Sequence, residues 1–89
     1  MSTRVLTIHR LKCEAPFFDA VEVGRKTAEL RLDDRGYQVG DTLDLIRTKG
    51  GVETNAPPRR QQVVVTHIVR AADGQWLSPG YVMLSFRTI

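Results

Sequence analysis

Gly24-Arg25-Lys26-Thr27-Ala28-Glu29-Leu30-Arg31 is the stretch on which the fold of this chain turns. Before it, Pro16 fits the first helical position, where a missing N–H costs nothing, and Phe17, Phe18 and Val21 recur at helical spacing. Gly24 then supplies a left-handed stop. The helix is two turns long and Ala15 is a poor N-cap, so its stability is expected to come from packing Phe17, Phe18 and Val21 on a sheet. After the glycine the residues alternate. Ala28, Leu30 and Leu32 are predicted to form the buried face of a strand, with Thr27, Glu29, Arg31 and Asp33 on the polar face.

Outward from this junction, residues 3–12 combine Val5, Leu6, Ile8 and Leu11 with polar neighbours and read as a first strand. Asp33-Asp34-Arg35-Gly36 and Val39-Gly40-Asp41 are turn chemistry ahead of a strand over 42–48. Residues 49–58 contain Gly50, Gly51, Asn55 and the pair Pro57-Pro58, which predicts a long loop, either mobile or functional. Val63, Val64, Val65, Ile68 and Val69 mark a strand over 61–70, and 81–86 closes the set after a turn at Ala72-Asp73-Gly74. Five strands, one early helix and no βαβ rhythm predict a small α+β barrel, mostly antiparallel, with one short N-terminal helix.

The 89 residues, 42% hydrophobic and 26% charged, suit one domain spanning 1–89. A single cysteine, Cys13, cannot form an intramolecular disulfide, and two histidines beside it are too few for a zinc cluster. No metal or other cofactor is expected. Neither a signal-peptide core nor a run of about 20 apolar residues is visible, so the expectation is a cytoplasmic protein without a membrane partner. The net charge of +3 favours an anionic partner.

No phosphate-binding glycine loop or nucleophile elbow occurs. What remains is the charged side of the Gly24–Arg31 stretch. Glu29 and Arg31 project from one face about 7 Å apart along a strand. Two readings of the pattern stand side by side. One is a solvated surface ion pair of little energetic weight. The other is a carboxylate held between Lys26 and Arg31, able to accept from a nucleobase edge while the cations meet phosphate.

His9-Arg10-Leu11-Lys12, Phe18, Val21, Gly24 through Arg31, Asp34-Arg35, Val39-Gly40-Asp41-Thr42-Leu43 and Gly80-Tyr81-Val82-Met83-Leu84 fall in one order and at set distances. Together they resemble the domain of unknown function family 3850, which is grouped with ASCH and PUA-like domains. That resemblance implies a PUA-like (ASCH-like) barrel and a basic cleft beside the helix that binds RNA or a nucleotide-like ligand through the Gly-x-Lys-x-x-Glu-x-Arg stretch. It also implies an alternative, a small ASCH-type amidohydrolase or other hydrolase acting on a modified nucleoside or RNA. In that branch Lys26 matches the catalytic lysine, while the threonine nucleophile's place is taken here by Glu29. Lys26 and Glu29 are the catalytic candidates of that reading.

By the same resemblance His9 and Lys12 join Lys26, Glu29, Arg31 and Arg35 as candidate RNA- or nucleotide-binding residues. Each has a plainer reading: a hydrogen-bonded structural histidine, a solvated lysine, and an arginine that braces the Asp33-Asp34 turn. Arg59-Arg60 reads as an electrostatic arm or as solvated charge. Trp76 and Tyr81 suit either base stacking or rim packing, and packing is favoured because aromatics are only 7% of the chain.

Overall fold

In the computed structural model, which describes residues 5–89, the N-terminal alternation becomes β1 (Ile8–Glu14). His9, Leu11 and Cys13 are buried and Ile8, Arg10 and Lys12 are exposed, the period of a half-buried strand. The expected strand over 3–12 therefore begins later and runs further; Thr3 and Arg4 lie outside the described residues.

Helix α1 (Ala15–Glu22) follows without a break. Its N-cap is Glu14, not Ala15, and makes no side-chain cap, because its carboxylate instead accepts from the Thr48 hydroxyl and from the Gly50 and Gly51 amides. Ala15, Phe18 and Val21, three apart, form the buried stripe, and full burial of Phe18 and Val21 stabilises by about 1.5–3 kcal/mol each. Phe17 was expected on that stripe; it lies to one side of it and is 55% exposed. Gly24 ends the turn at φ +80°, its amide donating to the Val21 carbonyl, while the Arg25 and Lys26 amides both donate to Ala20.

The next strand, β2 (Ala28–Leu32), corrects the sequence reading of its faces. Leu30 and Leu32 are 62% and 52% exposed, and Glu29 is 8% exposed. The register gives the reason. On the neighbouring strand β6 (Tyr81–Thr88), Glu29 stands opposite Leu84 and Arg31 opposite Val82, both core residues, whereas Leu30 and Leu32 stand opposite Met83 and Tyr81 on the outer face. Alternation in sequence defines two faces, but the partner strand decides which of them points inward.

Between them run β3 (Thr42–Lys49), β4 (Val52–Glu53) and β5 (Arg60–Arg70). Gly50 and Gly51, at φ +57° and +77°, make a two-residue hairpin from β3 to β4, so the loop expected over 49–58 is shorter than the sequence suggested. The sheet has six strands rather than five. Its order is β1-β3-β5-β6-β2, with β4 beside β3, and only the β1–β3 pair is parallel. A register shift between Val65 and His67 on β5 marks a bulge, the kind of irregularity that bends a strand. The sheet curls into a half-barrel around Leu11, Leu43, Leu45, Val63 and Leu84, with α1 packed on it through Phe18 and Val21. Among the described residues no helix is long and apolar enough to cross a membrane.

Candidate functional site

The two ends of the sheet path, β1 and β2, do not pair with each other. A side chain bridges them instead: Arg31 donates from Nη2 to the Lys12 carbonyl oxygen at 2.6 Å. Around this seam lie two adjoining cavities. One, of about 280 Å³, is bordered by Lys12, Cys13, Glu14, Phe17, Tyr81 and the run from Glu29 to Leu32. The other, of about 480 Å³, is bordered by Phe17, Lys26, Ala28, Glu29, Leu30 and Met83. Phe17, Glu29 and Leu30 are common to both.

Glu29 occupies the boundary. Its Oε1 accepts from Lys26 Nζ, which also donates to the Ala28 carbonyl, and its Oε2 accepts from Arg31 Nε at 3.3 Å. The Glu29 side chain is 9% exposed and those of Lys26 and Arg31 are 26% exposed, so the carboxylate is withdrawn from water while the cations stay partly wet. Burying a carboxylate costs several kcal/mol unless counter-charges and hydrogen bonds offset it, and two cations fill that role here. A carboxylate has roughly four lone-pair directions, so these contacts leave Glu29 with accepting capacity toward the cavities. The Lys26 ammonium also lies 6.0 Å from the centre of the Phe86 ring. Beneath the same cluster the Cys13 thiol is pushed up to about 11, first by burial and then by the Glu29 charge, against the opposing influence of Lys26 and Arg31.

Four of the six sequence candidates thus meet at one place: Lys12, Lys26, Glu29 and Arg31. Lys12 is exposed and makes no ion pair among the described residues. His9 is elsewhere. It is 5% exposed, its Nε2–H donates to Asp41 at 2.9 Å, and its ring meets that of Tyr37 edge-on at 4.7 Å. Asp41 also accepts from the Thr7 and Gln38 amides at 3.2 and 3.0 Å; burial pushes its pKa up, but these bonds and His9 outweigh burial and hold the carboxyl below its ordinary value. Arg35 borders neither cavity and sits 3.9 Å from Asp34 on the surface.

The Arg59-Arg60 pair is tied down rather than extended. Arg59 pairs with Glu22 and lies over Phe18 at 5.5 Å, and Arg60 pairs with the buried Asp44. Trp76 is 69% exposed and away from the cavities, whereas Tyr81 borders the smaller one. Sequence reasoning did not place Cys13, Phe17 or Met83 at a site. Phe17 carries a signal in its position, since a second aromatic next to a fully buried one must leave the buried stripe. Cys13 and Met83 carried none, because only the closure of the sheet brings them near Glu29.

Residues 8–86 match the family model described as Domain of unknown function (DUF3850). The chain belongs to this family. The match takes in β1 to β5, the helix, β6 as far as Phe86 and all four converging residues, so the seam lies wholly inside the DUF3850 region. A relative from Escherichia phage P2, named "Uncharacterized 12.9 kDa protein in GpA 3'region", is 40% identical over 77 residues. The aligned part is 86% of this chain and 65% of that relative, so this chain spans somewhat less than two thirds of the relative's length.

Proposed function

We propose that this DUF3850 protein is a PUA-like domain that binds RNA or a nucleotide through the seam between β1 and β2. The observation that carries the reading is Glu29: a buried carboxylate, held by Lys26 and Arg31, at the boundary of two cavities, the smaller of which also borders Lys12, a lysine with no ion pair among the described residues. Such a group accepts from the amino or imino edge of a base, and the cations beside it attract phosphate. Exposed Phe17, Leu30 and Tyr81 supply apolar surface on which a base can lie. The resemblance to ASCH and PUA-like domains and the overall +3 charge support the same reading.

Because Glu29 already neutralises part of the Lys26 and Arg31 charge, contact with about two phosphates is expected. Log affinity for a single-stranded RNA oligomer should then fall against log salt with a slope of about −1 to −2. Fluorescence anisotropy with a labelled oligomer, on the parent and on Lys26→Ala, measures this. Binding that ignores salt, or that survives Lys26→Ala unchanged, overturns the reading.

The second reading, hydrolysis of a modified nucleoside, draws on the direct contact of Lys26 with Glu29 at the cavity wall. Incubation with a panel of acylated nucleosides, followed chromatographically, separates the two. Turnover by the parent that is lost in Lys26→Ala and Glu29→Gln would establish chemistry at the site and replace the binding-only account.

A further inference from the structure

The two cavities differ in character, and the difference fixes how a ligand would lie. The larger is walled by Phe17, Ala28, Leu30 and Met83, with polar groups only at Lys26 and Glu29. The smaller adds Lys12 and Arg31. Glu14 also borders it, but its carboxylate is turned to Thr48, Gly50 and Gly51. Arg31 spends Nε on Glu29 and Nη2 on the Lys12 carbonyl, which leaves Lys12 as a cation with no ion pair among the described residues at this end. An apolar compartment and a mixed one, lined also by Leu32 and Tyr81 and ending at the exposed Lys12, joined at a hydrogen-bond acceptor, complement a molecule with a flat apolar face, a donor edge and an anion at its far end.

We infer that the seam takes one nucleotide as its unit ligand, with the base between Phe17, Leu30 and Met83 and the phosphate at Lys12. This deepens the nucleotide-binding reading and rests on it. It assigns Phe17 and Lys12 separate roles: Phe17 acts on the base and Lys12 on the phosphate. Both side chains are exposed, so their substitution leaves the core untouched. The larger volume, about 480 Å³, lies within the range of small-molecule sites, and the smaller, about 280 Å³, just under it.

Calorimetric titration of the full chain with AMP, adenosine and inorganic phosphate, and with a single-stranded RNA octamer, tests the assignment. AMP should bind about tenfold or more tightly than adenosine or phosphate alone, and the octamer should exceed AMP by no more than about one further phosphate contact supplies. Lys12→Gln should bring AMP down to the level of adenosine without altering adenosine. Phe17→Ala should weaken AMP and adenosine by the same factor. Equal binding of AMP and adenosine, or an unchanged AMP affinity in Lys12→Gln, overturns the two-compartment assignment while nucleotide binding stands. An octamer that binds where AMP does not overturns the single-nucleotide unit and leaves RNA binding intact. Failure of every probe removes both readings.

Discussion

Arg31 and Lys12, nineteen positions apart, are joined by a 2.6 Å hydrogen bond from the guanidinium of one to the backbone carbonyl of the other. That bond closes the half-barrel where no strand ladder does, since β1 and β2 are the two ends of the sheet path. The same guanidinium holds Glu29 through Nε. One side chain therefore fixes both the seam and the carboxylate beside it, which couples stability to the shape of the candidate site.

Substitution of Arg31 should expose that coupling. Arg31→Met keeps a long apolar stem but leaves Glu29 with Lys26 alone, and is expected to cost about 1–3 kcal/mol in urea unfolding. Arg31→Lys keeps the charge but not the two-pronged geometry and should recover only part of the loss. Amide exchange should quicken over residues 12–14 and 28–32 and stay slow in β5. Exchange that quickens evenly through the sheet would contradict a local role at the seam.

Acid should destabilise the protein through its carboxyls of lowered pKa. Asp41 is held below its ordinary 3.8 by His9 and two amides that outweigh burial. Asp19 is lowered mainly by hydrogen bonding from Arg47, and Glu14 mainly by the Thr48 hydroxyl. A group lowered in the folded state contributes stability that is present above its unfolded value and is lost as the pH falls through the folded one. Stability should accordingly be level above about pH 5 and decline below about pH 4. Asp41→Asn should decline less steeply in that range; a slope equal to that of the parent would show that Asp41 is not among the groups responsible.

Cys13 makes the opposite prediction at high pH. Its thiol is raised from 9.0 to about 11, first by burial, so the folded state favours the neutral form. The stability this contributes is present below pH 9 and is lost as the pH climbs toward 11. At pH 8 the native thiol should react with an aromatic disulfide reagent at least about a hundredfold more slowly than the unfolded chain, because the thiolate is scarce and the sulfur is shielded. Comparable rates in buffer and in guanidinium would contradict both the burial and the raised value.

The helix, its glycine stop and the positions of the main strands were legible because each rests on local chemistry. Gly24 is at positive φ where an L residue is strained, and on β5 the core residues Val63 and Val65 flank the half-buried Val64. The pairing of Glu29 with Arg31 was legible for a similar reason, since i and i+2 on a strand share a face, whereas Lys26 lies before β2 and reaches Glu29 from outside that alternation. The hairpin at Gly50-Gly51 carried its signal in the sequence, but its place inside a stretch rich in Asn and Pro masked the short β4.

By itself, then, the sequence determined that Glu29 and Arg31 stand together on one side of a strand that begins just past a helix stop. Tertiary structure decided that this side faces inward. It is the pairing of β2 with β6 that sets Glu29 opposite Leu84 and turns Leu30 and Leu32 to the outside, reversing the face that hydrophobicity alone would bury. Likewise only the curl of the sheet brings Lys12, Phe17 and Cys13 to Glu29, and only it separates His9, bound to Asp41, from the residues it was grouped with. A side-chain period is a property of two or three neighbouring residues; the choice of inward face and the meeting of distant strands depend on contacts between residues tens of positions apart, which no local pattern encodes.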